Sequence, residues 1–584
     1  MCGIVGYIGA QQAQDILLDG LSRLEYRGYD SAGIAVMDGG VIRLSKAKGR
    51  LANLAARVAS NPLPGTIGIG HTRWATHGEP NDINAHPHTD MKGHIAVVHN
   101  GIIENYEELR AQLKAKGCVF VSETDTEVIA HLLHTLYDGD MLSTILHAQT
   151  MLEGSYALCV LNAEAPDTLY CTRKDSPLVV GLSDGAQYVG SDIPALIRHT
   201  RTVELLDERE VAVLTRSGVR VYDHFGNERA LKPIHVDWDV EAAEKGGYAH
   251  FMLKEIMEQP RAVEATITPR IRNGEIVLDD LNIDLSQIHK IVITACGSAY
   301  YAGCAGKYTI EKLCRIPVTT ELASELRYAD PLIDGHTLLI VLSQSGETAD
   351  TIAAMKECQR RGAKALAIVN VVGSPIAKIA DYTLYTWAGP EIAVATTKGY
   401  TTQLTVLYLF ALRLAYARGQ LTEEKTKYYT AQLLHAPEVI KPRLADCEQI
   451  KYLASRYVNT QSCFFIGRGF DYALSLEGSL KLKEISYVHS DAYAAGELKH
   501  GTISLITDGV PVIALATQKN VYEKTISNAK ETKSRGARVI LFTTKDVVVP
   551  EGVADYVVRL DDYDELLMPL QLIVPLQLFA YYMA

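Results

Sequence analysis

Several features that define other classes of protein are missing from this sequence of 584 residues. Its ten cysteines include no C-x-x-C pair and form no dense framework, which favours a reduced cytoplasmic compartment rather than a disulfide-stabilised secreted fold. The N-terminus has neither the basic segment nor the long apolar segment of a secretory signal. No G-x-x-x-x-G-K-[ST] loop occurs, so we do not expect a nucleoside triphosphate site.

Positive charge is also scarce. The 57 lysines and arginines are outnumbered by 69 aspartates and glutamates, which gives a formal net charge of -12 and argues against a nucleic-acid partner. A hydrophobic content of 47% and a charged content of 22% are typical of a globular protein with a sizeable core. At one domain per roughly 100–200 residues, the chain should contain several domains. No motif predicts a metal or an organic cofactor.

One uncharged run, residues 566–584, is long enough to span a bilayer. However, Pro569, Gln571, Pro575 and Gln577 interrupt it, and nothing else in the chain supports a membrane anchor. We therefore predict a buried core helix with a proline near its start, and no membrane partner.

Cys2 is the residue around which the first part of the chain can be interpreted. Because it follows Met1 directly, removal of the methionine would leave a thiol and a free α-amine on one residue. The pKa of an α-amine is about 7.7–8.0 and that of a thiol about 8.5, so the amine can accept the thiol proton near neutral pH. The alternative is a buried second residue of an ordinary edge strand, since residues 4–8 have a strand pattern.

Four polar segments could complete a site around this thiol, and several of them follow strand-like runs, where sites are commonly built. Arg73 can pair with a carboxylate through two parallel hydrogen bonds, and Asp125 can hold an ammonium group, so together they could bind an α-amino acid. The Asn100 amide and the Gly101 N–H could stabilise a tetrahedral oxyanion. The segments are Arg27-Gly28-Tyr29-Asp30-Ser31, His71-Thr72-Arg73-Trp74-Ala75-Thr76-His77-Gly78, His99-Asn100-Gly101 and Ser122-Glu123-Thr124-Asp125-Thr126.

Together, residues 2–125 resemble an N-terminal-nucleophile glutamine amidotransferase domain. The resemblance implies a sandwich in which layers of helices cover two stacked sheets. It also implies that Cys2 attacks the side-chain amide of L-glutamine, forms a glutamyl thioester and releases ammonia. It adds Thr76 and His77 to the glutamine-binding residues and makes Trp74 the gate of an ammonia channel.

The sequence pattern divides the chain into regions. Residues 2–217 alternate short strand-like runs with few long helices, of which 11–25 and 105–116 have the clearest helical periodicity. Residues 218–284 become polar and irregular, and we interpret them as a connecting region with a helix near 252–268.

After residue 290 strands, polar turns and helices alternate, which predicts an α/β fold of doubly wound, mostly parallel sheets. The pattern repeats weakly, because Arg361-Gly362-Ala363-Lys364 and Arg535-Gly536-Ala537-Arg538 each precede an apolar run. We predict two related domains, residues 285–421 and 452–584, joined by a helical linker at 422–451.

The loop after the strand at residues 337–342 is a candidate anion site. It combines a glycine with amide and hydroxyl side chains directly before a helix, where backbone N–H groups attract anions. Without a P-loop lysine, a phosphomonoester fits better than a nucleotide. The alternative is an ordinary helix with Ser345 at its cap. The loop residues are Ser343, Gln344, Ser345, Gly346 and Thr348.

Acid–base groups lie further along the chain. Glu477, Lys481 and Glu484 have the i, i+4, i+7 spacing of one helical face, and His500 stands between a lysine and a glycine. Taken alone, these are an ordinary solvated face and a surface ring. Beside a phosphate loop, glutamate and histidine could move a proton between adjacent sugar carbons.

The loop resembles that of a sugar isomerase (SIS) domain, and almost the whole chain resembles the isomerising glutamine–fructose-6-phosphate aminotransferase family. The resemblance implies L-glutamine and fructose 6-phosphate as substrates and a homodimer formed through the SIS domains. It implies that Glu484 is the proton-transfer base, with Lys481 beside it, and that His500 opens the sugar ring, presented across the dimer. The sugar-phosphate contacts that it implies are Ser298, Ser343, Gln344, Ser345, Thr348 and Val394.

Two departures from the family pattern have consequences. Ser298-Ala299 stands where the family has Thr-Ser, so one hydroxyl contact is missing. The family continues past the position of Ala584 with a tail whose lysine forms an imine with the sugar. We therefore expect residues 1–584 to hydrolyse glutamine and to make little amino sugar.

Rival interpretations lack their motifs. Amidophosphoribosyltransferase would need an Asp-Asp loop flanked by apolar residues, and Asp279-Asp280 and Asp561-Asp562 lack that setting. Asparagine synthetase would need an S-G-G-x-D-S loop, which is absent. A regulatory protein that binds sugar phosphates without turnover stays open, although such a sensor has no use for Cys2, Arg73 and Asp125.

Overall fold

The computed structural model describes residues 2–25, 28–236, 245–272, 274–278, 281, 283, 287–445 and 447–584. The chain forms two compact units, residues 1–243 and 244–584, which we call the N-terminal and C-terminal units. Each unit has its own sheets and its own apolar core.

The described part of the N-terminal unit contains two antiparallel sheets and five α-helices. The strands are β1 (Gly3–Ile8), β2 (Ser31–Asp38), β3 (Val41–Lys48), β4 (Ile67–Arg73), β5 (His88–Thr89), β6 (Ile95–Ile103), β7 (Gly154–Asn162), β8 (Leu169–Lys174), β9 (Val179–Ser183), β10 (Ala186–Gly190), β11 (Thr202–Leu205), β12 (Val211–Thr215), β13 (Gly218–Tyr222), β14 (Glu228–Arg229) and β15 (Ile234–His235). The helices are α1 (Ala13–Ser22), α2 (Leu51–Ser60), α3 (Tyr106–Ala115), α4 (Glu127–Leu136) and α5 (Met141–Met151). The sheet orders are β15-β11-β9-β10-β1-β4-β2-β3 and β14-β13-β12-β8-β7-β6-β5.

Strand alternation in β1 explains how these layers stack. Ile4 and Ile8 point to one face and pack with Val98 of the other sheet, whereas Val5 and Tyr7 point to the opposite face and pack against α1. A third cluster joins the outer face of β6 to helices α3, α4 and α5. The result is a helix–sheet–sheet–helix sandwich, as predicted.

Strand β6 includes Asn100 and Gly101, which the sequence analysis placed in a polar segment. Gly101 has φ +131°, and a Cβ there would lie 2.1 Å from the carbonyl oxygen of Ser155 on the paired strand β7. Only glycine fits this close approach. Likewise, β4 runs through His71 to Arg73, so candidate site residues lie on strands as well as on loops.

The predicted boundary at residue 217 falls inside the hairpin formed by β12 and β13. Strand β14 then pairs with β13, and β15 pairs with β11 of the other sheet. The N-terminal unit therefore uses residues 218–235 as sheet edges, where the sequence analysis places the start of a connecting region.

The described part of the C-terminal unit contains two five-stranded parallel sheets surrounded by helices, and one short antiparallel sheet formed by its first two strands. The strands are β16 (Ile271–Arg272), β17 (Glu275–Ile276), β18 (Lys290–Ala295), β19 (Val318–Leu322), β20 (Thr337–Ser343), β21 (Lys364–Val369), β22 (Tyr382–Tyr385), β23 (Ser462–Gly467), β24 (His489–Ala494), β25 (Pro511–Ala516), β26 (Arg538–Thr544) and β27 (Tyr556–Leu560). The helices are α6 (Phe251–Met257), α7 (Gln259–Ile267), α8 (Gly297–Cys314), α9 (Ala323–Leu326), α10 (Ala349–Arg360), α11 (Pro375–Ile379), α12 (Lys398–Ala417), α13 (Glu423–Ala445), α14 (Cys447–Ser455), α15 (Phe470–Ser486), α16 (Tyr522–Lys533) and α17 (Pro569–Met583).

The two parallel sheets have the same topology. Their orders are β19-β18-β20-β21-β22 and β24-β23-β25-β26-β27, so each strand of the first sheet has a counterpart in the second. Gly297 and Gly469, at the starts of the equivalent helices α8 and α15, both have φ +58°. The weak sequence repeat therefore corresponds to a structural repeat, as predicted.

Helix α17 confirms the predicted core helix at the end of the chain. Its residues 569–580 are all buried, and they share one apolar core with α8, α12, α15 and both sheets. Full burial of a large aliphatic side chain contributes about 1.5–3 kcal/mol, which is why an uncharged run is stable here. Across the described ranges, no helix is both long and apolar enough to cross a membrane.

The predicted helix near residues 252–268 is two helices, α6 and α7, which meet at Glu258. Both pack within the C-terminal unit, α6 against α17 and α7 against α12 and α13. This segment therefore belongs to the core of that unit.

Candidate active sites

The thiol of Cys2 is held at the end of β1, beside the end of β4. Its Sγ accepts a hydrogen bond from the backbone N–H of Trp74 at 3.3 Å and lies 3.5 Å from the carbonyl oxygen of the same residue. Removal from water raises the pKa of the Cys2 thiol, and the Trp74 N–H and the Arg73 guanidinium partly oppose the rise. The thiol therefore needs a base before it can act as a nucleophile.

A network of buried hydrogen-bonding groups fixes Asn100 next to Cys2. Its Nδ2 donates to the carbonyl oxygen of Cys2 at 3.0 Å and to Ser191 Oγ at 2.8 Å, and its Oδ1 accepts from His71 Nε2 at 3.0 Å. His71 Nε2 also lies 2.9 Å from the carbonyl oxygen of His99. Burial lowers the pKa of His71 to about 3, so the ring is neutral at pH 7 and acts as a donor through Nε2.

Arg73 reaches into the same region from the end of β4. Its Nη2 donates to the carbonyl oxygens of His77 and Gly78, the latter at 3.2 Å. Its Nη1 is buried and has no hydrogen-bond partner among the described residues. A buried guanidinium nitrogen without an acceptor is costly, so this atom is well suited to receive a ligand carboxylate.

Asp125, which interacts electrostatically with both Cys2 and Arg73, is 5% exposed. Its Oδ2 accepts the backbone N–H of Ile103 at 2.9 Å and lies 3.9 Å from His99 Nδ1. Burial lowers the pKa of His99, so this ring is neutral at pH 7 and leaves Asp125 without a cationic partner on that side.

The remaining predicted residues lie around this core. Trp74 is 43% exposed, and its ring meets Tyr29 edge-on at 5.3 Å. Asp30 accepts the backbone N–H of Ala75 at 2.8 Å, which ties the segment 28–31 to the Trp74 loop. Thr76 is exposed, and its Oγ1 lies 3.3 Å from His77 Nδ1. Arg27, which the sequence analysis grouped with these segments, lies outside the described residues.

The predicted anion loop in the C-terminal unit follows β20. Ser343 Oγ accepts the backbone N–H of Gly346 at 2.9 Å and lies 3.3 Å from Thr348 Oγ1. Gly346 has φ +69°, and a Cβ there would lie 2.0 Å from Ser374 Oγ. The loop is thus folded tightly on itself before α10.

The alternative of an ordinary cap at Ser345 is wrong. The N-cap residue of α10 is Thr348, which makes no side-chain capping bond, and Ser345 Oγ accepts from Glu347 N instead. The first turn of α10 therefore keeps N–H groups without a side-chain cap, as an anion site requires.

Glu477, Lys481 and Glu484 form one connected group on α15. Lys481 Nζ lies 2.6 Å from Glu484 Oε2 and 3.8 Å from Glu477 Oε1, and Ser298 Oγ donates to Glu477 Oε1 at 2.9 Å. Glu477 and Lys481 are 0% and 1% exposed, so the alternative of a solvated face is wrong. Burial raises the pKa of Glu477 to about 8.

Two predicted residues are solvent-exposed within the chain. His500 ends a short 3-10 helix, Leu498–His500, and its side chain is exposed. Val394 is 57% exposed in the loop before α12. Within its own chain, the described residues do not enclose the side chain of His500.

The second copy of the anion loop is already filled. After β25, the equivalent of β20, Asp471 accepts Thr517 N at 2.8 Å and Thr517 Oγ1 at 2.6 Å. Asp471 itself is 0% exposed and stands at the start of α15, where Ala299 stands on α8. An internal carboxylate thus occupies the N–H groups that the first copy leaves open.

Some residues that support these sites were given no role by the sequence. His71 lies in one of the predicted polar segments, but only the structure shows that it supports Asn100. Glu255 and Glu391, which hold the loop that carries Val394, had no signal at all. Buried histidines and glutamates have no characteristic spacing, so only their three-dimensional neighbours identify them. Within the described ranges, no group of three or more His, Cys, Asp and Glu side chains is arranged to hold a metal ion.

Comparison with protein families agrees with this geometry. The glutamine amidotransferase domain family matches residues 71–198, and the SIS domain family matches residues 284–413 and 457–584. With a cysteine nucleophile candidate in one unit and a phosphate-type loop in the other, the chain is a glutamine amidotransferase that carries two SIS domains.

Full-length relatives define the family more closely. The chain is 53% identical over 588 residues to the isomerizing glutamine--fructose-6-phosphate aminotransferase of Caldanaerobacter subterraneus subsp. tengcongensis, covering 100% of this chain and 97% of the relative. A Thermus thermophilus relative of the same name is 46% identical over 586 residues with the same coverage. The solved C-terminal domain of glucosamine-fructose-6-phosphate aminotransferase from Francisella tularensis is 37% identical, has a TM-score of 0.56, and covers 58% of this chain and 97% of that one. This chain belongs to the isomerizing glutamine–fructose-6-phosphate aminotransferase family.

Proposed function

We propose that this protein transfers the amide nitrogen of L-glutamine to D-fructose 6-phosphate, producing L-glutamate and D-glucosamine 6-phosphate. This reaction is the first step toward UDP-N-acetylglucosamine. The observation that carries the proposal is the thiol of Cys2 next to Asn100, with the unpaired Nη1 of Arg73 and the carboxylate of Asp125 nearby. Family membership over the whole chain supports the sugar half of the reaction.

In the glutamine site, the α-carboxylate would pair with Arg73 and the α-ammonium group with Asp125. The free α-amine of Cys2 takes the thiol proton, and Sγ attacks the side-chain amide carbon. The Asn100 amide and the Gly101 N–H stabilise the resulting oxyanion, and His71 holds the Asn100 amide in that orientation. The protonated amine then gives its proton to the leaving nitrogen, ammonia departs, and water hydrolyses the thioester to glutamate. Thr76 and His77 line the same site.

In the sugar site, the phosphate would bind the loop after β20 through Ser343, Gln344, Ser345 and Thr348. Ser298 and Val394 add contacts to the sugar. Glu484 would act as the base that moves a proton from C1 to C2, and Lys481 Nζ lies 2.6 Å from its carboxylate. The second SIS copy binds no phosphate in this proposal, because Asp471 already accepts the equivalent N–H groups.

Ring opening would need a partner subunit. His500 is exposed in its own chain, which supports its presentation to the sugar site of a second copy in a homodimer. We also propose a cytoplasmic location, consistent with ten cysteines that are all free thiols.

Ammonia would travel from Cys2 to the sugar through a channel with Trp74 as its gate. The backbone N–H of Trp74 donates to the Cys2 thiol, and the Trp74 ring is exposed, which supports this role. A channel is chemically useful, because ammonia protonated by water cannot attack a carbonyl.

The proposal is tested with glutamine labelled with ¹⁵N in its side-chain amide. Incubated with fructose 6-phosphate, a chain that carries the family's tail lysine should produce glucosamine 6-phosphate with the label, and unlabelled ammonium in the buffer should not dilute it. Residues 1–584 alone should release glutamate with little labelled amino sugar. Glutamate release without labelled amino sugar by the chain with the tail would contradict the transferase assignment. The alternative of a regulatory sugar-phosphate-binding protein is not favoured, because relatives that match the whole chain are named as aminotransferases.

A further inference from the structure

The loop that precedes α12, residues 391–399, is held at both ends by carboxylates. Glu391 Oε1 accepts the backbone N–H groups of Thr397 and Gly399 at 2.8 and 2.9 Å. At the other end, Glu255 Oε1 accepts the N–H groups of Ile392 and Ala393 at 2.5 and 3.1 Å. Four hydrogen bonds from backbone N–H groups to carboxyl oxygens fix the backbone of this loop firmly.

These carboxylates are enclosed by the fold. Glu255, on α6, is 2% exposed. Glu391 as a residue is half-buried, but its Oε2 is inaccessible to solvent and has no hydrogen-bond partner among the described residues. Burying such a group is expensive, so a stable fold keeps it only where its hydrogen bonds compensate.

The Glu391 carboxylate replaces the cap that α12 lacks. Thr397, the N-cap residue, makes no side-chain capping bond, and the first N–H groups of a helix otherwise have no partner. A carboxylate at a helix N-terminus is favoured by both hydrogen bonding and the helix dipole. The start of α12 is therefore positioned by a residue outside the helix.

This positioned end of α12 touches the candidate phosphate loop. A Cβ on Gly399 would lie 2.3 Å from Glu391 Oε2 and 3.2 Å from Gln344 Cγ. Both side chains therefore pack against the backbone of Gly399, and a larger residue would not fit between them. Asn370 makes a second connection, since its N–H donates to Gln344 O at 3.2 Å and its Nδ2 donates to Gly389 O at 2.7 Å. Movement of residues 389–399 would therefore displace Gln344.

We propose that Glu391 is a positioning residue of the sugar-phosphate site, with Glu255 as its counterpart at the other end of the loop. Together they hold the loop so that exposed Val394 and the adjoining Gln344 meet the sugar phosphate in one fixed arrangement. This inference rests on the proposed function, since the roles of Val394 and Gln344 are assigned there.

The surrounding charges indicate that Glu391 acts as a hydrogen-bond acceptor more than as a counter-ion. Lys398 Nζ binds Glu258 Oε2 at 2.7 Å, and Lys481 Nζ binds Glu484 Oε2 at 2.6 Å. The nearby lysines thus have other partners. A glutamine at position 391 keeps an oxygen that can accept both N–H bonds, whereas an alanine keeps none.

The test compares fructose 6-phosphate binding and turnover in E391A, E391Q and a matched control, E311A. Glu311 also accepts a backbone N–H, from Val318 at 3.2 Å, but lies near the C-terminal end of α8, away from the loop. We expect E391A to weaken binding at least about tenfold by calorimetry, with E391Q within about threefold and E311A unchanged. In a chain that carries the family's tail lysine, the KM for fructose 6-phosphate should rise more than kcat falls.

Wild-type affinity in a folded E391A, or equal losses in E391A and E391Q, would overturn the positioning role. Should E391A not fold, G399A disturbs the same contact while Glu391 is intact, and it should show the same loss; normal binding by G399A would also overturn the inference. If the wild-type protein bound no fructose 6-phosphate, the proposed function itself would fail, and that result is distinct from a failure of the variants alone.

Discussion

The two units differ in the kind of buried side chain whose pKa is shifted by burial near the candidate site. The described part of the N-terminal unit buries His131 and, separately, a contacting group of His71, His86, His88 and His99, each 5% exposed or less. Burial lowers the pKa of all four histidines in this group, so they are neutral at pH 7. In the C-terminal unit burial raises the pKa of Glu255, Glu391 and Glu477. The physical cause is the same in both units, because removal from water disfavours whichever form is charged.

This difference suits the two sites. The glutamine site needs rigid neutral donors beside its oxyanion, and the neutral His71 ring holds Asn100 without adding positive charge. The sugar site needs groups that can hold protons near a phosphorylated substrate, and Glu477 stands next to the Lys481–Glu484 pair. Since each candidate site draws its residues from one unit, each can be broken without the other.

The largest expected effect is the loss of glutamine hydrolysis with sugar-phosphate binding unchanged. C2A should reduce glutamine hydrolysis at least about 10⁴-fold, because the nucleophile itself is removed. Fructose 6-phosphate binding, measured by calorimetry, should be unchanged because that site lies in the other unit. A matched control, C447A, should keep full glutaminase activity. Glutamate production by a homogeneous C2A sample would refute the nucleophile assignment.

Substitutions in the candidate phosphate loop of the C-terminal unit should weaken sugar-phosphate binding and leave glutamine hydrolysis intact. The double variant S345A/T348A should weaken fructose 6-phosphate binding by a few kcal/mol, since hydrogen bonds to a charged group are each worth about 1.5–3 kcal/mol. Glutamine hydrolysis without sugar should continue. Ser534, a hydroxyl in a turn of the second SIS copy, provides the control S534A. Equal affinity of the wild-type protein for fructose and for its phosphate would rule out a phosphate loop.

A smaller effect is expected when a charge is kept but its geometry is lost. R73K should raise the KM for glutamine about tenfold or more, because lysine cannot form two parallel bonds to a carboxylate. The value of kcat should change less, since Arg73 does not contact the reacting amide in this proposal. Steady-state kinetics with the wild-type protein as reference provides the measurement. A fall in kcat at constant KM would instead place Arg73 at the reacting centre.

The smallest effect concerns pH, and its sign should differ between the units. Below the ordinary histidine pKa of 6.5 the unfolded chain gains protons that folded His71 rejects, so the N-terminal unit loses stability as pH falls toward about 3. Above the ordinary glutamate pKa of 4.5 the unfolded chain loses protons that folded Glu477 keeps. The C-terminal unit therefore loses stability as pH rises toward about 8.

Hydrogen–deuterium exchange, corrected for the intrinsic pH dependence of the amide reaction, can measure both trends in one sample. Peptides covering residues 67–103 should become less protected in acid, and peptides covering 470–486 less protected in mild alkali. E477Q should flatten the second trend and leave the first intact. Trends of the same sign in both units would contradict the comparison.

The sequence alone was enough to identify the elements and most of the candidate residues. Short segments of unusual composition contain Cys2, Arg73, Asn100 and Asp125. Such segments can be recognised without knowledge of the fold. The apolar run at residues 337–342 ends in a polar turn, and it forms the predicted strand with Ser343 added. Periodicity and turn chemistry are properties of neighbouring residues, so they can be recognised along the chain.

Only the tertiary structure decided which polar residues are buried and what they hold. The spacing of Glu477, Lys481 and Glu484 fits a solvated face equally well, and it is the packing of α15 against α8 and α17 that encloses the first two. Glu255 meets Ile392 across 137 positions of the chain, and His71 meets Asn100 across 29. Contacts of this kind join distant segments, and their energy depends on removal from water. No local pattern records either property, so the supports of both sites were decided by the fold.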